Sequence, residues 1–236
     1  CPFDRAISVG CGNGAKEIEM VERGLVNSFD LYDIADGAIE SGIADVKRRG
    51  LDDKIRFFSS NALESALSRE YDLVTWFSSL HHMPSSRDAI KWSKDVLRRG
   101  GILIFDEYVG ESRFQFSELF LKVNSDYRRT LPCKYLQNPF KPGSLVDTLM
   151  VNIDIDDLIL LDPSEAVDSG DILPAMKEYF SSAEIILTGG AIYHMALNDI
   201  IHNLQNDSLA IENALELDLE CIHNGLNQFA VAIAVK

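Results

Sequence analysis

From residue 5 to residue 109, short apolar runs alternate with segments of helical periodicity. This rhythm restricts the fold more than any other feature of the chain. "RAISVG" reads as a buried strand ending in a glycine turn, and residues 15–23 as a helix with Ile18 and Val21 on one face. "SFDLYDI" is a second strand. "GAIESGIADVKRRG" is a second helix, with Lys47, Arg48 and Arg49 at its C-terminal end and Gly50 as its stop. "KIRFFSS" and "YDLVTWFSS" are strands three and four. "RDAIKWSKDVLRRGG" is a helix that runs to its glycines, and "GILIFDEYV" is strand five. Such alternation argues for a parallel sheet wound on both faces with right-handed crossovers.

After Gly110 the rhythm breaks. Residues 111–183 hold helical stretches and five prolines. Within them "DPSEAV" reads as a helix start, with Asp162 as cap, Pro163 in the first turn and Glu165 completing a capping box. The segment is too long for a simple connection and is expected to form a cap beside a ligand site. "AEIILTGG" returns to strand, residues 194–222 are helical, and "NQFAVAIAVK" is a closing strand. The expected architecture is α/β: a doubly wound sheet of about seven strands, mostly parallel, with an antiparallel last strand and a helical cap. Residues 1–110 form the first half of the sheet domain, 111–183 the cap and 184–236 the rest of the sheet domain.

Of 236 residues, 46% are hydrophobic, enough for one substantial core. The net charge of −15 repels a phosphate backbone, so no nucleic-acid partner is expected, although Arg128 and Arg129 leave room for a local basic patch. No apolar run is long enough for a bilayer, and no secretory signal stands out, so no membrane association is expected. Cys1, Cys11, Cys133 and Cys221 are scattered without a CxxC pair, which fits a reducing cytoplasm better than a disulfide framework or a zinc site. The chain opens on Cys rather than Met, as a fragment would.

The chemistry begins in "SVGCGNG". A strand, a loop with Gly10, Gly12 and Gly14, and a helix N-terminus form a cradle. Glycines allow positive φ and close approach, and the helix offers unpaired N–H groups. Asp33 follows Gly10 by 23 residues, near the end of strand two, where a carboxylate can accept both ribose hydroxyls of an adenosine. Taken alone, these residues fit NAD as well as S-adenosylmethionine.

The ordered set "SVGCGNG", Asn61–Ala62 after strand three, "LHH" after strand four and "LRRGG" before strand five resembles class I S-adenosylmethionine-dependent methyltransferases. The likeness is strongest to their small-molecule branch, which includes the quinone-biosynthesis type. It covers residues 5–110 closely and the last strand pair loosely. The family's sheet is Rossmann-like and ends with an antiparallel strand inserted beside strand five, as two late strands around a helical excursion require. A short-chain dehydrogenase would need a Tyr-x-x-x-Lys pair, and none of the seven tyrosines has one. Ser8 stands where the family usually has an acid, and Arg99 where it has proline. The family also carries helices ahead of the first strand that cover the cofactor.

The resemblance implies a methyl transfer from S-adenosylmethionine to an oxygen or nitrogen of a small molecule. Ser8, Gly10, Cys11, Gly12 and Gly14 would line the methionine and ribose part. Asp33 would take the ribose hydroxyls and Ile34 the adenine face. Asn61 and Ala62 would border the adenine edge, and Trp76, Phe77 and Ser78 the methionine end. Candidates for a base are His81, His82, Glu107, Tyr108 and His194, while Arg113 and Arg128 are candidates for an acidic substrate. Two other readings stay open: a non-catalytic cofactor-binding or interaction module, and an NAD-dependent oxidoreductase. No metal is expected. Adjacent histidines on an extended segment point to opposite sides, and the alternating acids of "NIDIDDL" read as a solvated face.

Overall fold

The computed structural model describes residues 2–65 and 70–236. Five strands build the first half of the sheet: β1 (Phe3–Val9), β2 (Val26–Asp33), β3 (Ile55–Ser59), β4 (Tyr71–Phe77) and β5 (Leu97–Tyr108). Between them run α1 (Ala15–Glu22), α2 (Asp36–Arg49), the short α3 (Ala62–Ser65) and α4 (Ser86–Val96). β4 is buried along nearly its whole length and β1 over its C-terminal half, Ala6–Val9, as strands covered on both faces must be. Gly50 ends α2 in a left-handed conformation, and Ser85 caps α4 by accepting the Asp88 N–H.

The remaining helices are α5 (Glu118–Thr130), α6 (Ile155–Leu161), α7 (Ile172–Tyr179) and α8 (Ser208–His223); β6 is Glu184–Gly189 and β7 is Phe229–Val235. The seven strands lie in the order β3-β2-β1-β4-β5-β7-β6. β7 runs antiparallel to both of its neighbours and the other pairs are parallel, the expected topology. The chain winds outward from β1 to β3, then jumps back to β4. The C-terminal ends of β1 and β4 therefore sit side by side at a topological switch point, where open α/β sheets hold their ligands.

Two sequence expectations change. The helix over 87–101 ends at Val96, and Leu97–Gly101 are extended. The chain's last residue holds them there: the Gly100 N–H donates to the Lys236 carbonyl, and the Lys236 N–H to that of Gly101. "DPSEAV" is a turn, not a helix start. Asp162 does accept the N–H and hydroxyl of Ser164, but Ala166 takes a left-handed φ of 48° that no helix continues through. "NIDIDDL" is the start of α6, with Asp154 capping the N–H groups of Asp156 and Asp157.

The segment expected to form a cap packs in two directions. α7 lies against the sheet, with Ile172, Ala175, Met176 and Phe180 in the same cluster as β4 and β5. A second core instead joins Phe120, Tyr135 and Leu136 to Ala191, Ile192, Ala196, Leu197, Ile200, Leu204, Ala214 and Cys221. α5 and the chain after it thus share a core with the helical stretch between β6 and β7. Cys11, Cys133 and Cys221 are free thiols, and Cys1 lies outside the described residues. Among the described residues no helix is long and apolar enough to cross a membrane.

Candidate active site

Two neighbouring loops define the site. In the first, after β1, Gly10 is left-handed at φ 65°, and a Cβ there would lie 2.5 Å from Ser79 Cβ. Conformation and the closeness of the loop after β4 both require glycine. Gly12 is also left-handed, at 56°, yet nothing lies within 4 Å of where its Cβ would stand, so one side of the loop is open. Asp33 Oδ2 accepts the Gly12 N–H at 2.6 Å, and Oδ1 accepts the Ala35 N–H at 2.8 Å. One carboxylate thus ties the glycine loop to the end of β2, with lone pairs to spare. Beside it Ile34 is 82% exposed, a free apolar face.

Ser8 is buried, and its hydroxyl donates to Glu17 Oε1 at 2.6 Å. An acid does stand at the end of β1, but it arrives from the first turn of α1. Burial pushes the Glu17 carboxyl above its ordinary range, against the pull of the Ser8 hydrogen bond. Burial also pushes the Cys11 thiol far up, helped by Glu17 and Asp33, so it stays protonated. On the β3 side the Asn61 amide is committed to α3. It accepts the Leu63 N–H and donates to Glu64, while Ala62 is buried.

The second loop follows β4. Trp76 and Phe77 are consecutive strand residues and point to opposite faces. Trp76 faces the core: it is fully buried, donates to Ser93 Oγ at 2.9 Å and meets Trp92 edge-on. Its expected contact with a cofactor is therefore corrected. Phe77 faces the glycine loop, where the Lys16 ammonium lies 4.8 Å from its ring centroid. Ser78 is exposed and left-handed at φ 57°, a conformation that costs a non-glycine residue about 1 kcal/mol.

Glu107, on β5, shapes the rest of this loop. Its Oε1 accepts the N–H groups of Ser79 and Leu80 at 2.6 and 2.8 Å, and its Oε2 meets His81 Nδ1 at 2.7 Å. Leu80–His82 form a single turn of 3-10 helix, so the two histidines do not splay as on extended chain. Their ring centroids are 4.2 Å apart and the planes are tilted by 38°. His82 Nδ1 lies 3.1 Å from Ser164 Oγ, and His81 Nε2 lies 3.6 Å from Glu165 Oε1. Burial works to lower the His81 pKa, but Glu107, Glu165 and Asp162 together outweigh it and raise it.

Several expected roles fall away. Tyr108 is buried, its hydroxyl donates to the Glu111 carbonyl, and burial pushes its pKa so high that it is no base. His194 leans on Phe229, the same ring that Tyr108 meets edge-on. Arg128 is buried and donates to the Ala196 and Asp147 carbonyls and the Asp199 carboxylate, which ties α5 to the chain around it rather than to an acidic substrate. Arg129 pairs with Asp126, which removes the basic patch. Arg113 donates to the Pro163 and Glu165 carbonyls and holds the turn that carries Glu165. Glu17 and Ser164 escaped the sequence reading. Glu165 was visible only as a helix-capping acid, because the long-range folding that aims it at His81 leaves no local trace.

The family model described as a methyltransferase domain matches residues 2–139. The 27-O-demethylrifamycin SV methyltransferase of Amycolatopsis mediterranei is 30% identical over 107 residues, covering 45% of this chain and 39% of that protein. The ubiquinone biosynthesis O-methyltransferase of Nitrosomonas europaea is 28% identical over 127 residues, 53% of this chain and 52% of that one. The chain thus spans about half or less of the length of these relatives. The Haemonchus contortus phosphoethanolamine N-methyltransferase 2, solved with phosphomonomethylethanolamine and S-adenosylhomocysteine, shares the fold. Its TM-score is 0.60 at 13% identity, over 100% of this chain and 49% of that one. With more than half of its residues matched by the family model, the chain belongs to the methyltransferase domain family.

Proposed function

We propose that the protein transfers the methyl group of S-adenosylmethionine to an oxygen or nitrogen of a small-molecule acceptor. The observation that carries this reading is the open face of Gly12, where nothing lies within 4 Å of a Cβ and the N–H is held by the Asp33 carboxylate, on a glycine loop that packs through Gly10 against the loop leading to the His81–Glu107 pair. When bound, the cofactor supplies a sulfonium methyl group that is already activated, so the chain's task is positioning and exclusion of water. The spare lone pairs of Asp33 suit a ribose diol, and exposed Ile34 suits one face of a purine. Glu17, reaching Ser8 from α1, supplies the carboxylate for a methionine ammonium that position 8 itself lacks. Gly10, Cys11, Gly14, Phe77 and Ser78 complete the wall between the two loops.

In this reading the acceptor binds on the side of the second loop where His81, held by Glu107, takes up its proton. The similarity to a 27-O-demethylrifamycin SV methyltransferase and to a ubiquinone biosynthesis O-methyltransferase supports a small molecule methylated on oxygen. The match to a methyltransferase domain gives no support to a binding-only module or an oxidoreductase. The cytoplasm is the proposed location. Calorimetric titration with S-adenosylhomocysteine tests the reading: Asp33→Ala is expected to weaken binding at least tenfold, roughly the value of a hydrogen bond to a charged group. Saturable binding to NAD(H) in its place would overturn it.

A further inference from the structure

The notable feature of the second loop is that three potential metal ligands converge there. His81, His82 and Glu165 each bring one ligand atom within 4.8 Å of the others. Two histidines come from one 3-10 turn after β4, and the carboxylate comes from a turn 83 residues further along the chain. We propose that this cluster is a binding site for a divalent first-row transition ion of the zinc type.

The hydrogen bonds around the rings say more than proximity does. His81 Nδ1 is taken by Glu107 Oε2 at 2.7 Å. His82 Nδ1 is taken by Ser164 Oγ at 3.1 Å, and the Ser164 hydroxyl in turn donates to Asp162 Oδ1 at 2.7 Å. With its own proton committed to Asp162, Ser164 can only accept, so His82 carries its proton on Nδ1. Glu107 likewise draws the His81 proton to Nδ1. In its neutral form each ring therefore keeps the Nε2 lone pair free, the tautomer that outer-shell carboxylates and hydroxyls impose on metal-binding histidines. A buried base pair requires one such histidine; here two adjacent ones are set the same way.

The metrics agree. Ligand atoms of a tetrahedral ion stand roughly 3.4 Å apart when each bond is about 2.1 Å. The 3.6 Å between His81 Nε2 and Glu165 Oε1 already meets this. Glu165 and His82 are half-buried and have room to close the rest. The turn that carries Glu165 is pinned by left-handed residues that hydrogen-bond each other, since the Arg113 N–H donates to the Ala166 carbonyl. Such strain is retained where the surroundings fix a functional geometry. Carboxylates stand at both nitrogens of the His81 ring, Glu107 at 2.7 Å and Glu165 at 3.6 Å, and the Arg113 guanidinium is spent on carbonyl oxygens rather than on the Glu165 carboxylate. Two imidazoles and one carboxylate select zinc, iron, cobalt or nickel over magnesium and calcium, and three protein ligands leave a position open.

The open position would take an ionisable oxygen of the acceptor, and a bound cation would lower that oxygen's pKa in place of free His81. This role for the ion rests on the proposed methyl transfer; the metal site itself does not. The test uses the full chain after treatment with chelator, titrated with Zn2+ by calorimetry and with Co2+ by visible absorption. Expected are one ion per chain, a low-symmetry cobalt band, at least tenfold weaker binding for Glu165→Gln and for His82→Ala, and roughly tenfold weaker binding for Ser164→Ala. No saturable binding, or binding unchanged in both Glu165→Gln and His82→Ala, would overturn the site. S-adenosylhomocysteine titration of the same proteins reads the cofactor cradle separately. Its failure would undo the methyl transfer and leave the metal result standing.

Discussion

The loop after β1 and the loop after β4 leave neighbouring strands at the same edge of the sheet, yet they are held by opposite means. The first is shaped by what its residues lack. Gly10 and Gly12 adopt left-handed backbone, and Gly10 lets Ser79 approach where any side chain would collide. The second is shaped by what another strand supplies. Glu107 of β5 receives two backbone N–H groups and a histidine ring, and no glycine lies between Ser78 and His82. The contrast teaches that a cofactor loop needs bare backbone to meet a ligand, whereas a reactive corner needs side chains fixed from outside.

Glu107→Ala puts this contrast under the greatest strain. It leaves the Ser79 and Leu80 N–H groups and the His81 ring without their buried acceptor. At about 1–3 kcal/mol for each unsatisfied group, a loss of roughly 3 kcal/mol or more is expected in urea denaturation. A loss below about 1 kcal/mol would mean that Glu107 is not what holds the corner. Gly10→Ala comes next, at about 2 kcal/mol, because it combines left-handed strain with a Cβ 2.5 Å from Ser79. Gly12→Ala adds only the conformational term, about 1 kcal/mol, but places a methyl group on the open face. It is expected to cost more in S-adenosylhomocysteine affinity than in stability, the reverse of Gly10→Ala. Equal effects of the two on both measurements would erase the distinction between a packed and an open glycine.

The same contrast decides what could be read from the sequence. The first loop was legible because its signal is local: residue types at fixed offsets, followed by Asp33 at the end of the next strand. The doubly wound parallel sheet was legible from alternating periodicity, and the antiparallel strand beside β5 from the family resemblance. The second loop showed only "LHH". Its chemistry depends on Glu107, 26 residues on, and on Ser164, 82 residues on, and such separations leave no periodic trace. Treating the histidines as part of an extended strand end led to the expectation that they diverge, whereas one turn of 3-10 helix brings them together. Trp76 and Arg128 were misplaced for a related reason. Residue type announces an aromatic or a cation, while the face of the strand and the burial of the helix decide its partner.

Glu17 offers the smallest effect and the finest test, since it is the one buried carboxylate at the first loop. Unlike Glu107 it gains few donors, chiefly the Ser8 hydroxyl, and burial raises its pKa in the folded protein above the ordinary 4.5. An acid whose folded pKa is raised binds its proton more tightly when folded. Stability is therefore full below the unfolded value and falls as pH rises through the folded one. Glu17→Gln keeps an acceptor for Ser8 but removes the charge. Its melting temperature should match that of the wild type near pH 4.5 and exceed it slightly at neutral pH, with the gap opening as pH rises. Adding S-adenosylhomocysteine should close or invert that gap, because a ligand ammonium beside Glu17 offsets the burial of its charge and the glutamine does not. A gap that is independent of pH, or one that the ligand leaves untouched, would show that Glu17 braces Ser8 and nothing more.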